Sequence, residues 1–254
     1  MGETKNLPAV YKAIKWFIWA LSPKMRVEGL ENLPEGGAVI VGNHAHMYGP
    51  IAAELYLEDK HHIWCAAQMM KLKEVPAYAY QDFWSMKPWY THGYYHLISY
   101  LVAPFCALVF NNANTIPVYH DMRVMITFRQ TLRLLRDGEK IVIFPEHTVP
   151  HNNIVYDFQD RFIDLAKMYY QMTQKELCFV PMYIAPKLKK MVLGQPVRYR
   201  AGEPPEQERL RVKEELMDAV TRLGRSLPPH TVVPYAVIPR KDYPFSQDNE
   251  QKRW

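Results

Sequence analysis

The 254 residues are 48% hydrophobic and 22% charged, enough for one large α/β domain with a full core and too apolar for general disorder. The net charge of +5 comes without a basic stripe interleaved with aromatics; Lys187, Lys189 and Lys190 are the closest approach, which argues against nucleic acid and for an anionic membrane surface. Three scattered cysteines, Cys65, Cys106 and Cys178, argue against a disulfide framework and suit a reducing compartment.

Residues 7–21 read as a helix with Asn6 as its cap and Pro8 in its first turn. Leu7, Val10, Tyr11, Ile14, Phe17, Ile18 and Leu21 share one face, and Lys12, Lys15, Trp16 and Trp19 take the other. The segment is too short to cross a bilayer and lacks a small-residue cleavage site, so it reads as a helix lying in a membrane interface. After Pro23 come a short strand at 25–27, a turn at 31–37, and the buried strand Ala38-Val39-Ile40-Val41. A helix beginning near Pro50 carries Ile51, Ala52 and Leu55 inward, and a second strand occupies 63–67. Residues 75–99 are rich in aromatics and histidine without clean periodicity. The apolar run 100–110 contains Pro104 and is too short to span, so it reads as a buried or interfacial helix.

Residues 115–118 read as a strand, and Asp121 as the cap of a helix with an apolar seam of Met125, Phe128, Leu132 and Leu135. Gly138 stops it before a strand at 141–144. A helix over 157–172, strands over 179–184 and 192–197, and a helix over 206–223 follow. Strands alternating with helices predict an α/β fold with a largely parallel sheet flanked by helices. The expected organisation is an interfacial helix over 1–22, a main α/β domain over 23–227, and a tail over 228–254 with five prolines, running extended over the surface.

The chemistry gathers where strands end, the usual position of sites on α/β sheets. One loop is Gly42-Asn43-His44-Ala45-His46-Met47-Tyr48-Gly49-Pro50, the other Phe144-Pro145-Glu146-His147-Thr148. A histidine at a strand end, neutral near pH 7, can deprotonate a hydroxyl for attack on an acyl carbonyl.

In order and spacing these blocks resemble the glycerophospholipid acyltransferases, the family of 1-acyl-glycerol-3-phosphate acyltransferase. Asn43, His44 and Pro50 match a strand ending in N-H-x4-D with a following proline, and Ile116-Pro117-Val118 matches an I-P-V-like strand. Phe144, Pro145, Glu146 and Thr148 match F-P-E-G-T-R, while Phe158, Leu165 and Ala166 match F-x-x-G-x-x-x-L-A. Val180-Pro181 and the pair Gly194 and Pro196 complete a similarity over roughly 27–225. The departures are Gly49 for the acidic partner of the histidine, His147 for a glycine, Val149 and His120 for two arginines, and Arg161 for a glycine.

The resemblance implies acyl transfer from acyl-CoA or acyl-carrier protein, with no cofactor, to a hydroxyl of a lysophospholipid, glycolipid or related lipid. His44 is then the general base, and Glu146 replaces the missing carboxylate by accepting the other imidazole N–H; a backbone carbonyl or water is the other candidate for holding the ring. Asn43, His46, His120, His147, Thr148 and Arg161 are assigned to substrate binding. With both arginines lost, the acceptor is expected to be a neutral, hydroxyl-bearing lipid unless Arg161 supplies a relocated phosphate clamp. The protein is expected to work peripherally, on the cytoplasmic face of a membrane. Two alternatives remain: a non-catalytic lipid or acyl-carrier binding protein, suggested by Gly49 and Val149, and a metal-dependent hydrolase using His44, His46, His120, His147 and His151. The histidines are read as a polar, hydrogen-bonded site without metal.

Overall fold

The structure, a computed structural model, describes residues 7–22, 24–57, 60–85 and 87–248; the expected cap Asn6 lies outside them, as do tail residues 249–254. In chain order the first elements are α1 (Pro8–Leu21), β1 (Arg26–Glu28), β2 (Ala38–Gly42), α2 (Tyr48–Tyr56), β3 (His61–Ala66), α3 (Val75–Phe83), α4 (His92–Asn112), β4 (Thr115–Val118) and α5 (Val124–Arg136). Then come β5 (Lys140–Ile143), β6 (Glu146–Pro150), β7 (Tyr156–Phe158), α6 (Asp164–Thr173), β8 (Cys178–Ala185), β9 (Lys190–Leu193), β10 (Val197–Arg198) and α7 (Pro205–Ser226). The chain divides into two compact units, one of Met1–Ser22 with Ile63–Thr127, the other of Pro23–His62 with Phe128–Trp254.

In the second unit the strands run in the order β1-β9-β8-β2-β5, with β10 beside β8. β2 is parallel to β5 on one side and β8 on the other, with Val39 opposite both Ile141 and Phe179. A parallel strand covered on both faces reads as an unbroken apolar run, and all five β2 residues are buried. The one charge brought into this layer is satisfied at once: the ammonium of buried Lys140 donates to the carbonyls of Pro34, at 2.6 Å, and Gly36. β8 and β9 form an antiparallel pair, and β1 pairs parallel with β9, so the unit is α/β with a mostly parallel sheet flanked by helices.

Three expected elements of this unit differ. The helix over 157–172 is β7, a 3₁₀ turn over Arg161–Ile163, and α6, because Tyr156–Phe158 pairs with β6. The strand over 192–197 breaks at Gly194, whose N–H turns back to the Pro181 carbonyl at 2.8 Å, leaving β9 and β10 to pair with different stretches of β8. The tail does not run over the surface: Val232, Val233 and Pro244 are buried, and residues 228–248 pack onto the unit.

In the first unit β3 and β4 pair in parallel, with Trp64 opposite Ile116. Beside them Met69, Val75, Ala79, Ala103 and Ala107 form a small core between α3 and α4. The unperiodic stretch 75–99 is thus α3 and the start of α4. This corrects the short-run reading of 100–110: with the 3₁₀ turn before it, α4 covers Trp89–Asn112, long and apolar enough by length and composition to cross a membrane. It buries only a narrow stripe, Ser99, Ala103 and Ala107, and exposes Tyr94, Leu97, Leu101 and Phe105. α1 packs on α4 and is tied to its end by the Leu7 N–H, which donates to the Asn112 side chain at 2.7 Å. Tyr11, Ile14, Lys15 and Ile18 are half-buried, while Val10, Trp16, Phe17 and Leu21 stay exposed. Asp121 accepts the Arg123 N–H at 2.9 Å in a turn ahead of α5, and Met125 lies outside the seam of Phe128, Leu132 and Leu135.

α7 approaches β8 closely through Gly224, where an added Cβ would lie 2.7 Å from Ile154 Cγ2 and 3.1 Å from Tyr183 Cζ. Helix propensity favours alanine over glycine by about 1 kcal/mol, whereas overpacking costs about 1–3 kcal/mol. Gly224→Ala is expected to lower the unfolding free energy in urea; a gain would mean the helix shifts freely.

Candidate active site

The second unit builds the site where β2 and β5 end. Asn43 completes the β2–β8 ladder with its side chain: Oδ1 accepts the Ile184 N–H at 2.7 Å, and Nδ2 donates to the Ile184 carbonyl at 3.1 Å. Both polar ends of this buried amide are engaged by backbone, so Asn43 fixes the start of the loop rather than facing a ligand.

Ala45 and His46 then take left-handed conformations, φ 45° and 52°, which cost non-glycine residues about 1–3 kcal/mol each. The result is a tight reversal that brings the His46 carbonyl to 2.5 Å from His44 Nδ1. A carbonyl can only accept, so Nδ1 carries the proton and Nε2 keeps its lone pair. The expected partner was Glu146. Its carboxylate instead takes two main-chain donors, the His44 N–H at 2.6 Å on Oε2 and the Tyr156 N–H at 2.9 Å on Oε1. Glu146 positions the histidine's backbone, and a backbone carbonyl holds its ring.

Electrostatics follow from burial. Burial pushes the Glu146 carboxyl up to about 7 against the pull of its two N–H donors. Burial also holds the His44 imidazole below its usual range, since the charged ring loses water. Phe144 packs edge-on to the ring at 5.4 Å and Tyr235 at 5.8 Å between centroids. The arrangement offers a neutral imidazole with a fixed tautomer, suited to taking a proton from a hydroxyl.

The other expected residues separate. His46 stays in the loop, its Nε2 donating to the Ala236 carbonyl at 3.1 Å and its ring against Tyr243. His147 lies on the β6–β7 hairpin and bonds Asp157 at 2.8 Å, which also pairs with Lys213. Thr148 is exposed on β6, and Arg161 is exposed on its 3₁₀ turn. His120 belongs to the first unit, exposed just after β4. Among the described residues, no group of three or more His, Cys, Asp or Glu side chains is arranged to hold a metal ion. Sequence reasoning missed Tyr156, Tyr235 and Ala236; the last two sit in the proline-rich tail, about 190 residues from the loop they touch, and no spacing pattern signals such a contact.

The sequence profile of the family described as Acyltransferase matches residues 24–186, more than half of the chain and inclusive of both loops. The chain belongs to the acyltransferase family. Among solved structures it is similar to the 1-acyl-sn-glycerophosphate (LPA) acyltransferase PlsC from Thermotoga maritima, with 17% identity and a TM-score of 0.47 over 87% of this chain and 81% of that one. A search of curated proteins returns no match.

At the position where the sequence resemblance calls for an acidic partner, the chain has a glycine that its loop requires. A Cβ at Gly49 would lie 2.4 Å from the His44 carbonyl oxygen and 3.0 Å from that of Asn43. The Gly49 N–H donates to the same His44 carbonyl at 3.0 Å, so the first turn of α2 closes directly on the histidine's backbone. Placing the aspartate that the resemblance calls for, by Gly49→Asp, is therefore expected to destabilise the protein by about 1–3 kcal/mol in denaturant melts, without raising activity. An equally stable, faster variant would contradict this geometry.

Proposed function

We propose that the protein transfers an acyl group from an acyl thioester, carried by coenzyme A or an acyl-carrier protein, to a hydroxyl of a lipid at a membrane surface. The observation that carries this reading is the His44 imidazole with Nδ1–H bonded to the His46 carbonyl and Nε2 left as the basic atom. In the reaction Nε2 takes the proton of the acceptor hydroxyl as its oxygen bonds to the thioester carbonyl carbon. The C–S bond then breaks, and the imidazolium returns the proton to the leaving thiolate. The His46 carbonyl favours the charged ring as well as the neutral one, the service that the resemblance would assign to a carboxylate at position 49.

For the acceptor we favour a neutral, hydroxyl-bearing lipid or glycolipid. Val149 is an exposed aliphatic side chain on β6 and offers a phosphate nothing. Support for the membrane surface comes from the first unit, where α1 and α4 expose Trp16, Phe17, Leu97, Leu101 and Phe105. The three cysteines are free, which agrees with work on the cytoplasmic face. The competing reading, a binding protein without the chemistry, rests on Gly49 and Val149.

The test uses purified protein, an acyl thioester, and vesicles containing candidate acceptors. His44→Ala is expected to reduce acyl transfer by about 10²–10⁴-fold with an unchanged melting temperature. Unchanged turnover in a folded His44→Ala protein would sink the reading.

A further inference from the structure

The C-terminal segment forms a loop with a tightly bound neck. Thr231 pairs with Phe245, the Val232 N–H donates to the Pro244 carbonyl at 2.9 Å, and the Ser246 N–H donates to the His230 carbonyl at 2.9 Å. The neck is also fastened to the unit beneath it. Buried His230 bonds the Tyr183 hydroxyl at 2.9 Å, and Asn153 donates to the Phe245 carbonyl at 2.8 Å. Compact loops with ends this close together are a recurrent carrier of function.

The tip is held differently. It meets the His44 loop through the edge of Tyr235 on the His44 ring, the His46 Nε2–H to the Ala236 carbonyl at 3.1 Å, and the Tyr243 ring on His46. Tyr235 also leans on Tyr156, the residue whose N–H shares the Glu146 carboxylate. Pro239 restricts the backbone between these contacts, and the Ile238 and Asp242 N–H groups bond back to the Ala236 and Pro239 carbonyls at 3.0 and 2.9 Å, so the tip has an internal structure of its own. An acceptor hydroxyl must come within about 3 Å of the His44 base, and Tyr235 and Phe144 already occupy the flanks of that ring.

We propose that residues 234–243 are a lid over His44, opened to admit the acyl thioester and acceptor and closed to keep water from the loaded site. The inference rests on His44 as the working base. Its chemical consequence is a choice between two nucleophiles at one carbonyl. With the lid closed the acceptor oxygen bonds to the acyl carbon; with it lost, water does so, His44 takes the water proton, the C–S bond breaks, and the thiol and a free acid leave. The lid then sets the ratio of transfer to hydrolysis.

The experiment reads His44 directly before it reads activity. In one variant the tip, residues 234–243, is replaced by a glycine-serine linker of equal length with both sides of the neck kept; a second, milder variant is Tyr235→Ala. Carbethoxylation by diethyl pyrocarbonate, mapped by mass spectrometry, is expected to modify His44 at least tenfold faster in the linker variant and several-fold faster in Tyr235→Ala. His230, under the neck, should stay protected in both and so reports that the fold is intact. With acyl-CoA and acceptor vesicles, both variants should form more free acid per acyl transferred than the wild type. Equal His44 reactivity in all three folded proteins would overturn the lid. Faster modification with no thioester turnover in any of them would keep the lid and count against the acyltransferase reading.

Discussion

A buried carboxylate with two main-chain donors holds this site together. Glu146 opens β6, yet its oxygens bind the backbone of His44, 102 positions earlier, and of Tyr156, ten positions later. Breaking that clamp would leave two partly buried N–H groups without their acceptor, each costing up to about 1–3 kcal/mol. The same clamp fixes the loop in which Ala45 and His46 are held left-handed, and the strain there persists because Glu146 and the α2 terminus secure both sides of it. The orientation of the His44 ring follows from this framework.

That framework supplies a ring partner where the sequence resemblance calls for an aspartate and this chain has Gly49. The usual partner needs a side chain at position 49, and here that space is filled by the His44 and Asn43 carbonyls. The imidazole proton goes to the His46 carbonyl instead, which fixes the same tautomer without bringing a full charge beside the ring. A carbonyl stabilises an imidazolium less than a carboxylate does, so the base should be weaker, in keeping with the downward push of burial.

The legible part of the molecule was the part written in local pattern. The apolar runs of β2, β5 and β8 announced a parallel core, and both site loops fell where those strands end. Glu146 was expected on the His44 ring and instead takes the His44 main-chain N–H: nothing in a sequence separates a carboxylate on an imidazole from one on a peptide N–H. Asn43 looked like a ligand-binding residue because polar residues at strand ends often are, and only the register with Ile184 reveals a backbone partner. α4 hid because its aromatics and histidines break the apolar periodicity that marks a helix. The lid hid because prolines resemble a surface tail whether or not the segment is anchored, and its anchors, Tyr183 and Asn153, are remote in sequence.

The two titratable groups of the site make separable claims. If His44 is the base, the acid limb of kcat/KM for acyl transfer belongs to an imidazole that burial holds below its ordinary value of about 6.5, so the limb should be centred below that pH. If Glu146 were the base, the limb would lie at about 7, where its buried carboxyl loses its proton. The most direct measurement is therefore the pH dependence of kcat/KM for the wild type and Glu146→Gln. The account predicts a limb with its midpoint below pH 6.5 that Glu146→Gln retains; a midpoint near 7 that disappears in Glu146→Gln would contradict it.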